Sequence, residues 1–200
     1  MTSRREFLQT AAVSAVPVVA GAAGIVDAVR PRAPAHTAVH AVLIDERHAE
    51  ARSFGTRLSG DGVTVYATPD GDVTQVWLRR IGPAWRRRPV AIAGLTERPA
   101  LFCLEQFALS CGLRVVFHGE HFVHPGGPIE HRQLRGARAA ERFEEDLTQA
   151  GPRWPVRIAD AVAAYREQAG RLRPGPSDAA LEPILAPGAQ LLTSWIIAAA

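Results

Sequence analysis

The stretch from Phe117 to His131, FHGEHFVHPGGPIEH, holds four of the chain's seven histidines. His118, His121 and His124 recur at a spacing of three, which a loop can wrap around a zinc or copper ion, with Glu120, Glu130 and His131 close by in sequence. The same residues suit a metal-free site in which an imidazole or a carboxylate moves a proton, and they equally suit plain loop histidines that hydrogen-bond the backbone. Other chemistries are absent from the sequence. The chain has no lysine, so no Schiff-base lysine, P-loop lysine or Ser-Lys dyad exists. No G-x-S-x-G, H-E-x-x-H or G-x-G-x-x-G is present either, and the order of HGEH puts the acid in the wrong place for a zincin.

The elements that must position these residues follow from hydropathy. Short continuous apolar runs at 40–44, 63–67, 90–94 and 113–118 read as buried strands, and amphipathic stretches at 47–62, 72–81 and 98–112 read as the helices between them. Two further helices are expected at about 130–149 and 156–170, and QLLTSWIIA near the end is expected as a final strand or buried segment completing the sheet. Strands linked by helices of this length predict an α/β fold, three-layered, with a mostly parallel sheet of flavodoxin-like or Rossmann-like architecture.

Ligands of such sheets bind beyond the carboxyl ends of the strands. That rule places Asp45, Glu46, Arg47 and His48 after the first strand, Thr68 and Asp70 after the second, Thr96 and Glu97 after the third, and His118, Glu120 and His121 after the fourth. Asp45 and Glu120 are the candidate acid/base residues, and His118, His121 and His124 the candidate metal ligands. Thr96 and Glu97 lie in GLTERP, a turn ahead of a helix whose free backbone N–H groups could hold a small anion or simply be capped.

A length of 200 residues fits one globular domain beside a targeting segment, and a net charge of +3 is too small to argue for a nucleic-acid partner. One basic run stands out, RRIGPAWRRR at 79–88, which is either a solvated helix end or a contact for anionic lipid or an acidic subunit. Cys103 and Cys111 share one expected helix, about 12 Å apart at 1.5 Å per residue. Both are therefore expected free, as buried thiols. Trp77, Trp85 and Trp195 are candidates for an exposed apolar patch.

At the N-terminus, Ser3-Arg4-Arg5-Glu6-Phe7-Leu8 resembles the twin-arginine (Tat) signal, with Gln9 where that pattern has lysine. A weakly apolar Ala/Val stretch follows from Thr10 to about Val29, and A-x-A sites occur at Ala20–Ala22 and Ala33–Ala35. The resemblance implies a signal at residues 1–35, a domain at 36–200, and export by the Tat translocase to the periplasm or beyond in a folded state. Membrane attachment is expected only if the signal is retained as an anchor. Proteins of this type often carry a cofactor or travel with a partner that does. Two functions follow as expectations: an envelope accessory or ligand-binding protein, such as a small partner of a redox enzyme, or a small metal-dependent periplasmic enzyme using zinc or copper.

Overall fold

The computed structural model describes residues 39–135, 140–168, 185 and 187–199. The Tat-like segment lies outside them. Six strands form one sheet in the order β2-β1-β3-β6-β4-β5. In chain order the elements are β1 (Ala41–Ile44), α1 (Ala49–Gly60), β2 (Thr64–Ala67), α2 (Thr74–Val76), a π-helical turn (Trp77–Ile81), α3 (Gly82–Arg87), β3 (Ile92–Glu97), α4 (Arg98–Ser110), β4 (Leu113–Val123), β5 (Ile129–Arg135), α5 (Ala140–Ala150), α6 (Trp154–Gln168) and β6 (Gln190–Ala199).

The fold is α/β, as expected. β1 pairs in parallel with both β2 and β3, whereas β6 pairs antiparallel with β3 and with β4, and β5 antiparallel with β4. Strands β1 to β4 therefore all run one way, but the C-terminal strand is wedged between β3 and β4. The sheet is mixed for this reason. A buried run such as LLTSWIIA makes a central strand without encoding its direction, because both faces are covered whichever way it runs.

Side chains alternate across the strands, and helices cover both faces. Val42, Ile44, Ala93, Leu95, Leu192 and Ile196 pack under α1 and α6 through Phe54, Leu58, Trp154, Ile158 and Val162. Leu43, Ile92, Trp195 and Ile197 face the other way, onto Ile81, Trp85, Leu101 and Leu104 of α3, α4 and the π turn before α3. At some 25 cal/mol per Å² of buried apolar surface, these two clusters supply the main driving force for folding.

Four expectations need correction. The fourth strand does not end at 118 but runs to Val123, and 129–135 is a strand, not the start of a helix. FHGEHFVHPGGPIEH is thus a β-hairpin whose Pro125-Gly126-Gly127-Pro128 tip turns the chain, Gly126 taking φ +64°. Within the helix expected at 130–149, the described residues are helical over Ala140–Ala150. The tryptophans form no exposed patch, since Trp85 and Trp195 are buried and Trp85 donates its indole N–H to Val90 O at 3.0 Å. Cys103 and Cys111 are both free, as expected, but Cys103 is exposed.

Candidate functional site at the carboxyl edge

The carboxyl ends of β1 and β3 lie side by side, because the two strands pair in register from Ala41–Ile92 to Ile44–Leu95. The residues that follow them meet. Asp45, fully buried, accepts hydrogen bonds at Oδ1 from the Arg47 backbone N–H (3.2 Å) and Nε (2.9 Å), and at Oδ2 from Arg47 Nη2 (2.6 Å). Arg47 Nη2 also donates to Glu97 Oε2 at 2.9 Å. His48, at the entrance of α1, puts Nε2 3.2 Å from Glu97 Oε1 and 3.7 Å from Asp45 Oδ2, while its Nδ1 lies 3.1 Å from the amide oxygen of Gln190. Gln190 opens β6, which runs antiparallel and so begins at this same edge.

Burial alone would raise the Asp45 pKa, but the hydrogen bonds and charge of Arg47, with His48 assisting, outweigh it and hold the carboxyl below its usual 3.8. The hydrogen bond to Asp45, with Glu97 adding to it, raises the Arg47 pKa in turn. Space at the cluster is tight. Gly71, at φ +74°, closes over it so closely that a Cβ there would lie 2.6 Å from Arg47 Nη2 and 3.1 Å from Asp45 Oδ2. Beside the cluster opens a cavity of about 360 Å³ lined by Glu97, Arg98, Pro99, Gln190, Leu191 and residues just before β6.

Asp45, His48 and Glu97 each offer a ligand atom within 4.8 Å of the others, the one such trio of metal-ligand types among the described residues. The expected histidine trio is not brought together. A strand has a side-chain period of two, so a spacing of three sends His118 and His121 to opposite faces of β4. His124 sits at the hairpin tip, its Nε2 3.7 Å from Glu130 Oε1. A loop could have gathered these three; the extended backbone separates them.

Glu120 projects onto the α4 face and is fully buried. Its nearest charge is Arg98 Nη1, 3.8 Å from Oε1, and neither carboxylate oxygen makes a hydrogen bond among the described residues. Burial raises its pKa, opposed by Arg98 and by Arg132 directly across on β5. The Thr96 hydroxyl is already engaged, donating to Glu97 O and accepting from Trp195 Nε1 at 3.0 Å. Glu97 is itself the N-cap of α4, but its carboxylate makes no capping hydrogen bond and pairs instead with Arg47 and His48.

On the other face of β4 lies a network that sequence reading missed. His121 Nε2 is 2.8 Å from Ser194 Oγ, and its Nδ1 is 2.9 Å from His131 Nδ1, with the Trp154 indole 4.3 Å from the His121 ring. Gly119 makes room for it, since a Cβ there would come within 2.9 Å of Ser194 Oγ. Burial drives the His121 pKa well below 6.5, with His131 and His118 adding to the effect, and burial lowers His131 to about 4. The alternation Ile129-Glu130-His131-Arg132-Gln133 was the available signal.

Fold and edge cluster together define a three-layer α/β domain with a polar site at the carboxyl ends of its parallel strands. No family model matches the chain. No solved structure matches it either. The sequence is similar to the glutamine-hydrolysing GMP synthases of Burkholderia mallei (strain SAVP1) and Burkholderia pseudomallei (strain K96243). Each is 30% identical over 132 residues, covering 62% of this chain and 22% or 21% of the relative. The chain thus spans about a fifth of the length of the curated relatives it matches.

Proposed function

We propose that this chain is an exported cell-envelope protein that binds a small polar ligand at the carboxyl edge of its sheet, serving as an accessory to a larger, redox-active partner. The observation that carries the binding reading is the cavity of about 360 Å³ at that edge, where one carboxylate (Glu97), one guanidinium (Arg98) and one amide (Gln190) meet apolar Pro99 and Leu191. A few polar groups on an apolar wall is the usual make-up of a small-molecule site. Opposite charges on adjacent residues suit a zwitterion. Similarity to glutamine-hydrolysing enzymes points to an amino acid with a side-chain amide as the first ligand to test.

Binding rather than hydrolysis fits the nucleophiles. Cys111 caps the far end of α4 and Cys103 lies on its exposed side. Thr68, Thr96 and Thr193 donate their hydroxyls to backbone carbonyls, and Ser194 is buried beneath His121. No described hydroxyl or thiol faces the cavity with a base beside it, the arrangement that covalent catalysis requires.

Calorimetric titration of the protein with L-glutamine tests this, with Arg98→Gln and Glu97→Gln as controls. Binding to the parent and at least tenfold weaker binding to both variants is expected; no heat, or equal heats in all three, refutes the reading. Export has its own test. Replacing Arg4 and Arg5 by lysine should trap the chain in the cytoplasm, and normal periplasmic yield of that double variant would remove the Tat assignment.

One observation favours a second reading, a metal-dependent enzyme: the convergence of Asp45, His48 and Glu97. Arg47 stands against it, because its guanidinium already takes both oxygens of Asp45. Zinc and copper titrations of the parent and of Arg47→Met decide. Tight binding that His48→Ala abolishes supports the metal site, and no binding even to Arg47→Met ends it.

A further inference from the structure

Arg98 opens α4 and lines the cavity of about 360 Å³ at the carboxyl edge. Its side chain is 37% exposed, yet its Nη1 is buried and finds no hydrogen-bond partner among the described residues. Within reach of that atom lies Glu120, its side chain 0% exposed, both carboxylate oxygens equally unsatisfied, and Oε1 3.8 Å from Nη1. A buried carboxylate that accepts no hydrogen bond relies on nearby charge to stay ionised. From α4 that charge is Arg98, and from β5 it is Arg132, which pairs with Glu120 across the ladder and lays its guanidinium over the Phe122 ring at 5.0 Å. β6 presents Thr193, whose hydroxyl donates to Thr96 O, and His118 is two residues back along β4. Other carboxylates have partners or stand off: Glu97 is bound to Arg47 and His48, Glu130 faces His124, and Glu105 lies seven residues along α4 from Arg98, about 10 Å in rise. Arg98 is thus the charge closest to Glu120 and the one that the cavity shares.

We propose that ligand binding in this cavity is coupled to a proton: an anionic ligand group that seats on Arg98 makes Glu120 take up one proton from solvent. This rests on the reading of the cavity as the ligand site, with the carboxylate of an amino acid on Arg98. The negative charge of the ligand offsets the guanidinium, so the charge that favoured an ionised Glu120 is cancelled while its burial remains. Protonation then removes the buried charge. Burial already raises the Glu120 pKa against the opposing pull of Arg98 and Arg132, so the carboxyl is placed to respond. The proton stays on Glu120 and none passes to the ligand. Binding that takes up a proton tightens as pH falls, until Glu120 is protonated in the free protein as well.

Two measurements on the full chain test this. The first needs no ligand: with the glutamate carboxyl carbons isotope-labelled, and the Glu120 signal assigned by its loss in Glu120→Gln, NMR follows that carboxyl through a pH titration. Arg98→Gln should raise its midpoint by roughly one pH unit or more, the effect of removing an opposite charge at about 4 Å, whereas Arg98→Lys should stay nearer the parent. The second is calorimetry with L-glutamine in buffers of different ionisation enthalpy, at pH values between the midpoints of the parent and Arg98→Gln. Uptake approaching one proton per ligand is expected in the parent and none in Glu120→Gln, which still binds. An unmoved midpoint in Arg98→Gln overturns the inference whether or not glutamine binds. Equal movement in Arg98→Lys overturns it too, by tracing the shift to packing and not to charge, as does glutamine binding with no proton uptake in the parent. A midpoint that moves with charge in a protein that binds no glutamine refutes that choice of ligand and supports the link from Arg98 to Glu120.

Discussion

Acidification should unfasten the hairpin from the helices above it. The Nδ1 atoms of His121 and His131 are 2.9 Å apart, so one ring donates and the other accepts, which two protonated rings cannot do. His131 has its pKa lowered from 6.5 to about 4 by burial, so the folded protein binds fewer protons here than the unfolded chain between those values. Stability therefore rises with pH across that window and is lost as pH falls from 6.5 toward 4. Two and a half pKa units at 1.36 kcal/mol each is roughly 3 kcal/mol from His131, and His121, displaced the same way, adds to it. Glu120 works in the opposite sense, because its raised pKa makes protonation favour the fold. A comparison with His131→Leu cancels that contribution. Urea denaturation at pH 7.5, 6.5, 5.5 and 4.5 is the assay. The leucine variant is expected to begin less stable, having left His121 Nδ1 without its partner, but to lose less on acidification, by roughly 2–3 kcal/mol over the window. Parallel stability curves for the two proteins would show that the buried imidazoles do not govern the response.

Glycine positions give sharper steric tests. Gly94→Ala should fail to fold, because the new Cβ would collide with the Trp195 ring and stand 2.8 Å from Leu43 O, where neither sheet backbone nor a fully buried indole can yield. Gly71→Ala should cost roughly 2–3 kcal/mol through its positive φ and its clash with Arg47, whereas Gly126→Ala, with open space around it, should cost only about 1 kcal/mol, both read from urea midpoints. Mass spectrometry of the unreduced protein after brief alkylation should find no disulfide and should find Cys103 labelled before Cys111, since Cys103 is the more exposed. An intramolecular bridge would mean that α4 is not a continuous helix.

What was legible from the sequence were the segments whose environment is written in their hydropathy. The apolar runs ending at Ile44, Ala67 and Gly94, the helices between them, and the rule that ligands gather past the carboxyl ends together pointed to Asp45, Arg47, His48 and Glu97 at one edge. The parallel pairing of β1 with β2 and β3 was expected, but the placement of the last strand and the hairpin was not. Nothing local in QLLTSWIIA says that it inserts between β3 and β4, and that insertion is what brings Gln190 to His48 and Ser194 to His121. The histidine stretch was misread for a related reason. Gly119 and the PGGP tip look like a loop in isolation, yet Gly119 is a strand residue admitting Ser194, and only the tip turns.

The distribution of buried polar groups argues independently for the same edge. Every polar or charged residue buried among those described, namely Asp45, His48, Thr68, Thr96, Glu120, His121, His131, Thr193 and Ser194, lies toward the carboxyl ends of β1 to β4 or beside them on β5 and β6. The opposite half of the sheet is filled by Ala41, Ile92, Leu113, Val115, Ile197 and Ala198. Burying an amide or hydroxyl costs about 1–3 kcal/mol unless it is hydrogen-bonded, and a charge costs more. A sheet selected for stability alone would carry the apolar pattern of its lower half throughout. Most of the polar groups are satisfied in place, but among the described residues the Glu120 carboxylate and Arg98 Nη1 find no hydrogen-bond partner, and Arg98 also lines the cavity. Local departures from the stable solution concentrate where a protein works. In this domain they gather toward the carboxyl edge, which also holds the cavity of about 360 Å³, while a second cavity, of about 480 Å³, opens beside His131 on the hairpin.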